Sequence, residues 1–293
     1  MLLAATGSMV GMASKGTDAS VENQGIITVG NNLGMYITDG SSGKNSGEIK
    51  VEKGTTTTGT TTGTGVYIEG TGNSFDGTGG TIKSDAIGIY LKDTTAGTVT
   101  NTGTLDIASG GVGVFGENAN IDFNVNVTGT GAVGVTASGN SVISGKVTTG
   151  DGSVGVYVLD SNVSFNGAVI ETGEKVTGRT SVGILFDRLK MGAYSVDNVT
   201  VNAKNGVGIY LQGLSGTALD FGGTIATAGA GAVGIYVDSG TMLTTDEATF
   251  KISNGAVGVY VATAGTANLG TTGDLVFNFG DGGGTGVYNR RNS

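Results

Sequence analysis

The sequence contains no Pro, no Cys, no His and no Trp, and only 13% of its 293 residues are charged. Without His or Cys, no Ser-His or Cys-His nucleophile can be assembled. Imidazole and thiolate metal sites go with them. The lack of Cys also suits a chain that crosses a membrane unfolded, where a premature disulfide would block passage. Positive charge is scarce: 15 Lys and Arg stand against 24 Asp and Glu, a formal net charge of −9. That balance provides no basic face for nucleic-acid phosphates or for anionic lipid. No apolar run reaches the roughly 18 residues of a membrane-spanning helix. The opening Met1-Leu2-Leu3-Ala4-Ala5 lacks a basic n-region and the apolar length of a signal peptide. It reads as an internal start, and the chain as a segment of a longer one.

What is abundant is Gly, 58 residues of it. Gly at that level accompanies disorder unless it falls at a fixed period, and here it does. The heptamer Ala256-Val257-Gly258-Val259-Tyr260-Val261-Ala262 has relatives centred on Gly34, Gly65, Gly88, Gly113, Gly134, Gly155, Gly183, Gly208, Gly234 and Gly286, with a degenerate copy at Gly11. The spacing averages 25 residues over these twelve copies, a solenoid period. The copies are rich in β-branched residues, which makes the units strands. With the Gly as position zero, positions −1, +1 and +3 are mostly Val, Ile or Leu, as in Val233, Ile235 and Val237. Strict alternation predicts that these three face the interior, while the Gly and position +2 face outward. Eight of the nine Tyr occupy +2: Tyr36, Tyr67, Tyr90, Tyr157, Tyr210, Tyr236, Tyr260 and Tyr288.

A second signature, Asn-x-Gly-x-(Ile/Leu)-x-(Val/Ile), precedes several copies, as at Asn23 to Val29, Asn45 to Val51 and Asn101 to Ile107. Gly, Asn, Asp, Ser and Thr clusters separate the two signatures and supply turns. Each unit is then two or three short strands, one coil of a β-helix that buries its apolar face only by stacking on neighbours. Twelve coils give a rod about 58 Å long. The expected architecture is an all-β parallel β-helix running continuously through residues 1–293, with a surface loop in the Thr/Gly run from Thr55 to Gly65.

The pairing of these two strand types at this period resembles the passenger domains of large fusobacterial type V autotransporter adhesins. Gly206-Val207-Gly208-Ile209-Tyr210-Leu211 and Gly231-Ala232-Val233-Gly234-Ile235-Tyr236-Val237 carry the resemblance most cleanly. It implies a right-handed parallel β-helix, displayed outside the cell on the bacterial outer membrane. It also implies adhesion to a protein or glycan receptor on host cells or other bacteria. The translocator barrel and export signal of that family are absent from this chain, so anchoring is expected to depend on sequence beyond it.

The candidate chemistry is sparse. Ser41-Ser42-Gly43-Lys44 reads as a polar turn, and the many Gly-x-Gly pairs belong to the repeat, with no phosphate loop among them. Acids follow the Gly-centred strand at Asp39, Glu69, Asp93, Glu117, Asp160, Asp187 and Asp238. They suggest either a cation site or an acid pair for glycoside cleavage, or simply turn residues in water. The repeats lack the calcium-binding solenoid register, and no metal or cofactor is expected. The Tyr column is either an aromatic platform for a partner or a stack that seals the ladder. The pattern breaks from Gly178 to Ser195, where Leu185 replaces the Tyr and Arg179, Arg188, Lys190 and Tyr194 arrive together. These four are the candidate partner-binding residues, because Arg and Tyr anchor interfaces; a plain insertion competes with that reading.

Three functions compete: a non-enzymatic adhesive stalk, a carbohydrate-active β-helix with two acids about 5–9.5 Å apart, and an ice-binding solenoid. The last needs regular outward Thr ladders, and Thr is scattered. The first is preferred.

Overall fold

The computed structural model describes residues 10–52, 54–56, 59–61, 63–159, 162–189, 193–213, 217–244 and 247–290. Among them there is no helix, and parallel strands stack into a β-solenoid. The coils before Val182 carry three strands in a fixed order, a Gly-centred strand, a short strand and an Asn-x-Gly strand, and beyond it the short strand runs on into a neighbour, as in Ala193–Lys204 and Val233–Leu243. In the first described coil the three are Val10–Lys15, Ser20–Asn23 and Ile26–Val29.

The Gly-centred strands form one ladder of twelve, from Val10–Lys15 to Gly284–Asn289, with every neighbouring pair parallel. Position +1 is the spine of the core. Val156, Ile184, Ile209, Ile235 and Val259 are successive partners, and each is fully buried. Position +3 lies beside it, with Phe186, Leu211 and Val237 almost fully enclosed. Removing such side chains from water stabilises the fold by about 1.5–3 kcal/mol each. The ladder cannot form within one coil, which is why the apolar pattern must repeat.

The strict alternation expected around the Gly does not hold. The paired register steps from −1 to +1 and leaves the Gly out, as between Val182↔Val207 and Ile184↔Ile209. The Gly turns inward, not outward: a Cβ on Gly34 would sit 2.6 Å from Ile49 Cγ2, and one on Gly183 would sit 2.4 Å from Val201 Cγ1. Position −1 accordingly swings to the rim of the core, where Ile87, Val112, Val154 and Val182 are half-buried. A local bend in the strand puts two consecutive residues, Gly and +1, on the interior side. The side chain that would collide with the opposing strand is absent, so the bend is tolerated.

The Asn-x-Gly strands form the second ladder, in which Val147, Ile170, Val201, Ile225, Phe250 and Phe277 are partnered in turn. The signature Asn is a corner residue. Asn23 Nδ2 donates to Asn45 Oδ1 at 2.8 Å and to the Glu48 carbonyl at 3.1 Å, while Asn23 Oδ1 accepts from the Gly25 amide. Buried amides that pair along the axis leave no orphaned polar group. The third ladder is the least regular. Val21, Gly43, Phe75 and Val99 begin it, Ile121, Ile143 and Phe165 continue it, and Tyr194, Leu219, Met242 and Ala267 occupy its inward row beyond. The Thr/Gly run leaves the solenoid as a hairpin in which Gly54–Thr56 pairs antiparallel with Gly59–Thr61.

Candidate functional site

The Tyr column lies on the outer side of the first ladder. The row at +2 reads Tyr36, Tyr67, Tyr90, Phe115, Thr136, Tyr157, Leu185, Tyr210, Tyr236, Tyr260 and Tyr288 in unbroken register. Its tyrosines are half-buried, apart from Tyr288 at the open end. The rings stack along the rod: Tyr90 on Phe115 with centroids 4.8 Å apart, Tyr236 on Tyr260 at 4.8 Å, and Tyr210 on Tyr236 at 5.2 Å. Interplanar angles of 5°, 10° and 16° leave these ring faces occupied by each other. A sugar stacks on a ring face, and what the column offers to solvent is ring edges and hydroxyls. Its chemistry is that of a sealing strip more than of an aromatic platform.

Charges are paired rung to rung beside it. Lys92 Nζ lies 3.0 Å from Glu69 Oε1, and Tyr36 Oη donates to Glu69 Oε2 at 3.2 Å. Tyr90 Oη donates to Glu117 Oε2 at 2.5 Å. Burial, then that hydrogen bond and the nearby carboxylate, hold the Tyr90 phenol well above its ordinary pKa. Burial and the nearby Glu69 push Tyr67 up, and burial and Asp238 do the same for Tyr210 and Tyr236. Of the remaining acids, Asp187 and Asp238 lie within the strands Val182–Leu189 and Val233–Leu243, and Asp39 and Asp93 are turn residues. Asp39 and Asp93 sit at φ of 58° and 53°, the left-handed conformation that Asp tolerates at a corner. Asp160 lies outside the described residues. Among the described residues no three acids gather into a cation site.

The irregular rung is not the exposed cluster its sequence suggests. Tyr194 is only 5% exposed, and its ring packs edge-on against Phe186 at 5.8 Å. It takes the inward row of the third ladder, beside Leu219, so it is a core residue and cannot anchor a partner. Arg179 is exposed but engaged: its Nη1 donates to Ser109 Oγ at 2.7 Å and to the Gly131 carbonyl at 3.3 Å. The side chain runs along the axis over turns whose glycines leave room for it; a Cβ on Gly131 would strike Nη1. Lys190 and the side chain of Arg188 lie outside the described residues. The excursion that begins this rung closes on itself through Val176 and Arg179, whose amides and carbonyls pair at 2.9 and 3.0 Å.

One concavity was not anticipated. On the outer face of the second ladder, Thr148, Glu171, Asn202, Ala226, Lys251 and Asn278 stand in one axial row. Small side chains at Ala226 and Ala228 hollow this face into an open groove of about 830 Å³. Asp151, Glu171 and Glu174 line one end, Lys204 and Lys251 the middle, and Phe279 the other end. Each residue is unremarkable within its own copy. The signal is the axial row, legible only when the copies are set in register.

No protein-family model matches the chain, and no curated protein matches it. A solved structure of endopolygalacturonase I from Stereum purpureum, complexed with two galacturonate, aligns over 95% of this chain and 99% of that one, at 14% identity and a TM-score of 0.26. A likeness that weak carries no argument about this chain.

Proposed function

We propose that this chain is a segment of an extracellular adhesive stalk, displayed on a bacterial outer membrane by a translocator barrel encoded beyond it, and that it catalyses no reaction. Its partner on this reading is a protein or glycan receptor on a host cell or another bacterium, and nucleic acid is not one. The observation that carries the reading is the continuous twelve-strand ladder, whose outer surface satisfies itself. Ring faces stack on rings, and among the described residues five of the six lysine ion pairs join residues of different coils, among them Lys83 with Glu48 and Lys146 with Glu171. Such a surface suits a spacer that resists the medium, with binding confined to a few departures from regularity. The resemblance of the Gly-centred copies to adhesin passengers points the same way. The second reading, a carbohydrate-active β-helix, draws on the groove and on Glu171 and Glu174 within it.

The test is attachment. Beads coated with the purified chain should bind host epithelial cells or co-aggregating bacteria above beads coated with the same chain unfolded and blocked. Equal, background-level attachment of both bead types to every cell tested would overturn the adhesive reading.

A further inference from the structure

The groove on the second ladder has a chemistry that the regular surface lacks. Six lysines of the described residues, Lys15, Lys44, Lys50, Lys83, Lys92 and Lys146, sit in ion pairs. Lys175, Lys204 and Lys251 do not, and the last two are exposed in the same hollow. Two unpaired ammoniums on one face of a chain of net charge −9 gain nothing from the fold. They are complementary to an anion.

The register sets the ligand's repeat. Lys204 pairs with Ala228 and Ala228 with Ser253, two residues beyond Lys251. The two ammoniums therefore leave the sheet two rungs apart, about 10 Å along the axis. The groove follows the axis for six strands, about 24 Å, so its occupant is an extended polymer. A peptide running that way crosses the strands at right angles and finds no backbone partner, because strand addition needs a sheet edge. The face presents amides and hydroxyls instead: Asn202 and Asn278 stand in the row, and Ser253 lies beside it.

We propose that this groove binds a linear acidic glycan with a carboxylate on every second sugar, the carboxylates meeting Lys204 and Lys251 and the hydroxyls meeting the amide row. Successive pyranoses in an extended chain advance by about one rung spacing, so alternate sugars fall opposite the two lysines. The inference rests on the groove alone; it is read without cells, and so fails or holds separately from the adhesive reading.

The experiment is isothermal titration of the folded chain with a hexasaccharide of alternating glucuronate and N-acetylglucosamine, and with cellohexaose as the neutral probe. The acidic hexamer should bind, more weakly as salt is raised, and at least tenfold more tightly than cellohexaose. The double change Lys204→Ala with Lys251→Ala should weaken it at least tenfold. Ala226→Trp, which fills the floor from the outside, should abolish it while circular dichroism and melting stay as in the parent. No binding by the parent chain, equal binding of cellohexaose, or full affinity in both variants would overturn the proposal.

Discussion

Tyr236 and Tyr260 stack ring on ring across neighbouring rungs, centroids 4.8 Å apart and planes 10° apart, and Tyr210 covers the other face of Tyr236 at 5.2 Å. Tyr236→Ala therefore removes two stacks at once. At about 0.5–1.5 kcal/mol for each, the chain should lose about 2 kcal/mol while keeping its β spectrum. Urea unfolding followed by circular dichroism measures it, and an unchanged midpoint would mean that the column contributes nothing to stability.

The inward turn of the Gly sets a second expectation. Gly183→Ala puts a Cβ 2.4 Å from both the Gly208 carbonyl and Val201 Cγ1, and overpacking of that kind costs about 1–3 kcal/mol. Gly25→Ala is the control: nothing lies within 4 Å of a Cβ there. The melting temperature should fall in the first variant and hold in the second. Equal melting in both would restore the outward orientation.

Register can be read with charge. Ile235 is fully buried at +1, whereas Val233 at −1 is 8% exposed at the rim. Ile235→Asp strands a carboxylate in the core and should cost about 3 kcal/mol or more. Val233→Asp should cost less than half of that, because its carboxylate can turn toward water. Equal losses in denaturant unfolding would show that both positions point inward.

Much of this was legible in the sequence, and the failures share one cause. The period, the +1 and +3 core rows and the Tyr row follow from local pattern, because each copy repeats them. The orientation of Gly34 and its equivalents did not follow, because alternation assumes an unbent strand and the bend is set by the opposing Ile49 or Val201. Tyr194 misled for a related reason. Beside Arg179 and Arg188 in sequence it resembles an interface anchor, yet the third ladder needs an apolar side chain at that row, between Phe165 and Leu219 in chain order. The groove was illegible because Asn202, Ala226 and Lys251 belong to three different copies.

Alkaline titration probes the column as a whole. Tyr67, Tyr90, Tyr210 and Tyr236 all have phenol pKa values raised, with burial the first cause. A phenol whose pKa is higher folded than unfolded contributes stability that is complete below the unfolded value, about 10, and is lost as pH rises through the folded one. Denaturation midpoints should not change from this cause up to about pH 10 and should fall above it. Spectrophotometric titration of the folded chain should show part of its nine Tyr ionising later than in denaturant. Identical titration curves would contradict the buried stack.

The central claim is a rod that holds partners without transforming them, and the groove is where chemistry would hide. Glu171 there is paired with Lys146 at 2.8 Å, and Asp151 Oδ1 accepts the Glu174 amide at 2.8 Å, which holds the Glu171 and Asp151 carboxylates in structural contacts. The decisive measurement is prolonged incubation of the folded chain with a panel of acidic and neutral polysaccharides, followed by chromatography of the products for chain length. The account predicts every polymer recovered at its original length. Shortened products that disappear when Glu171→Gln or Glu174→Gln is introduced would contradict it.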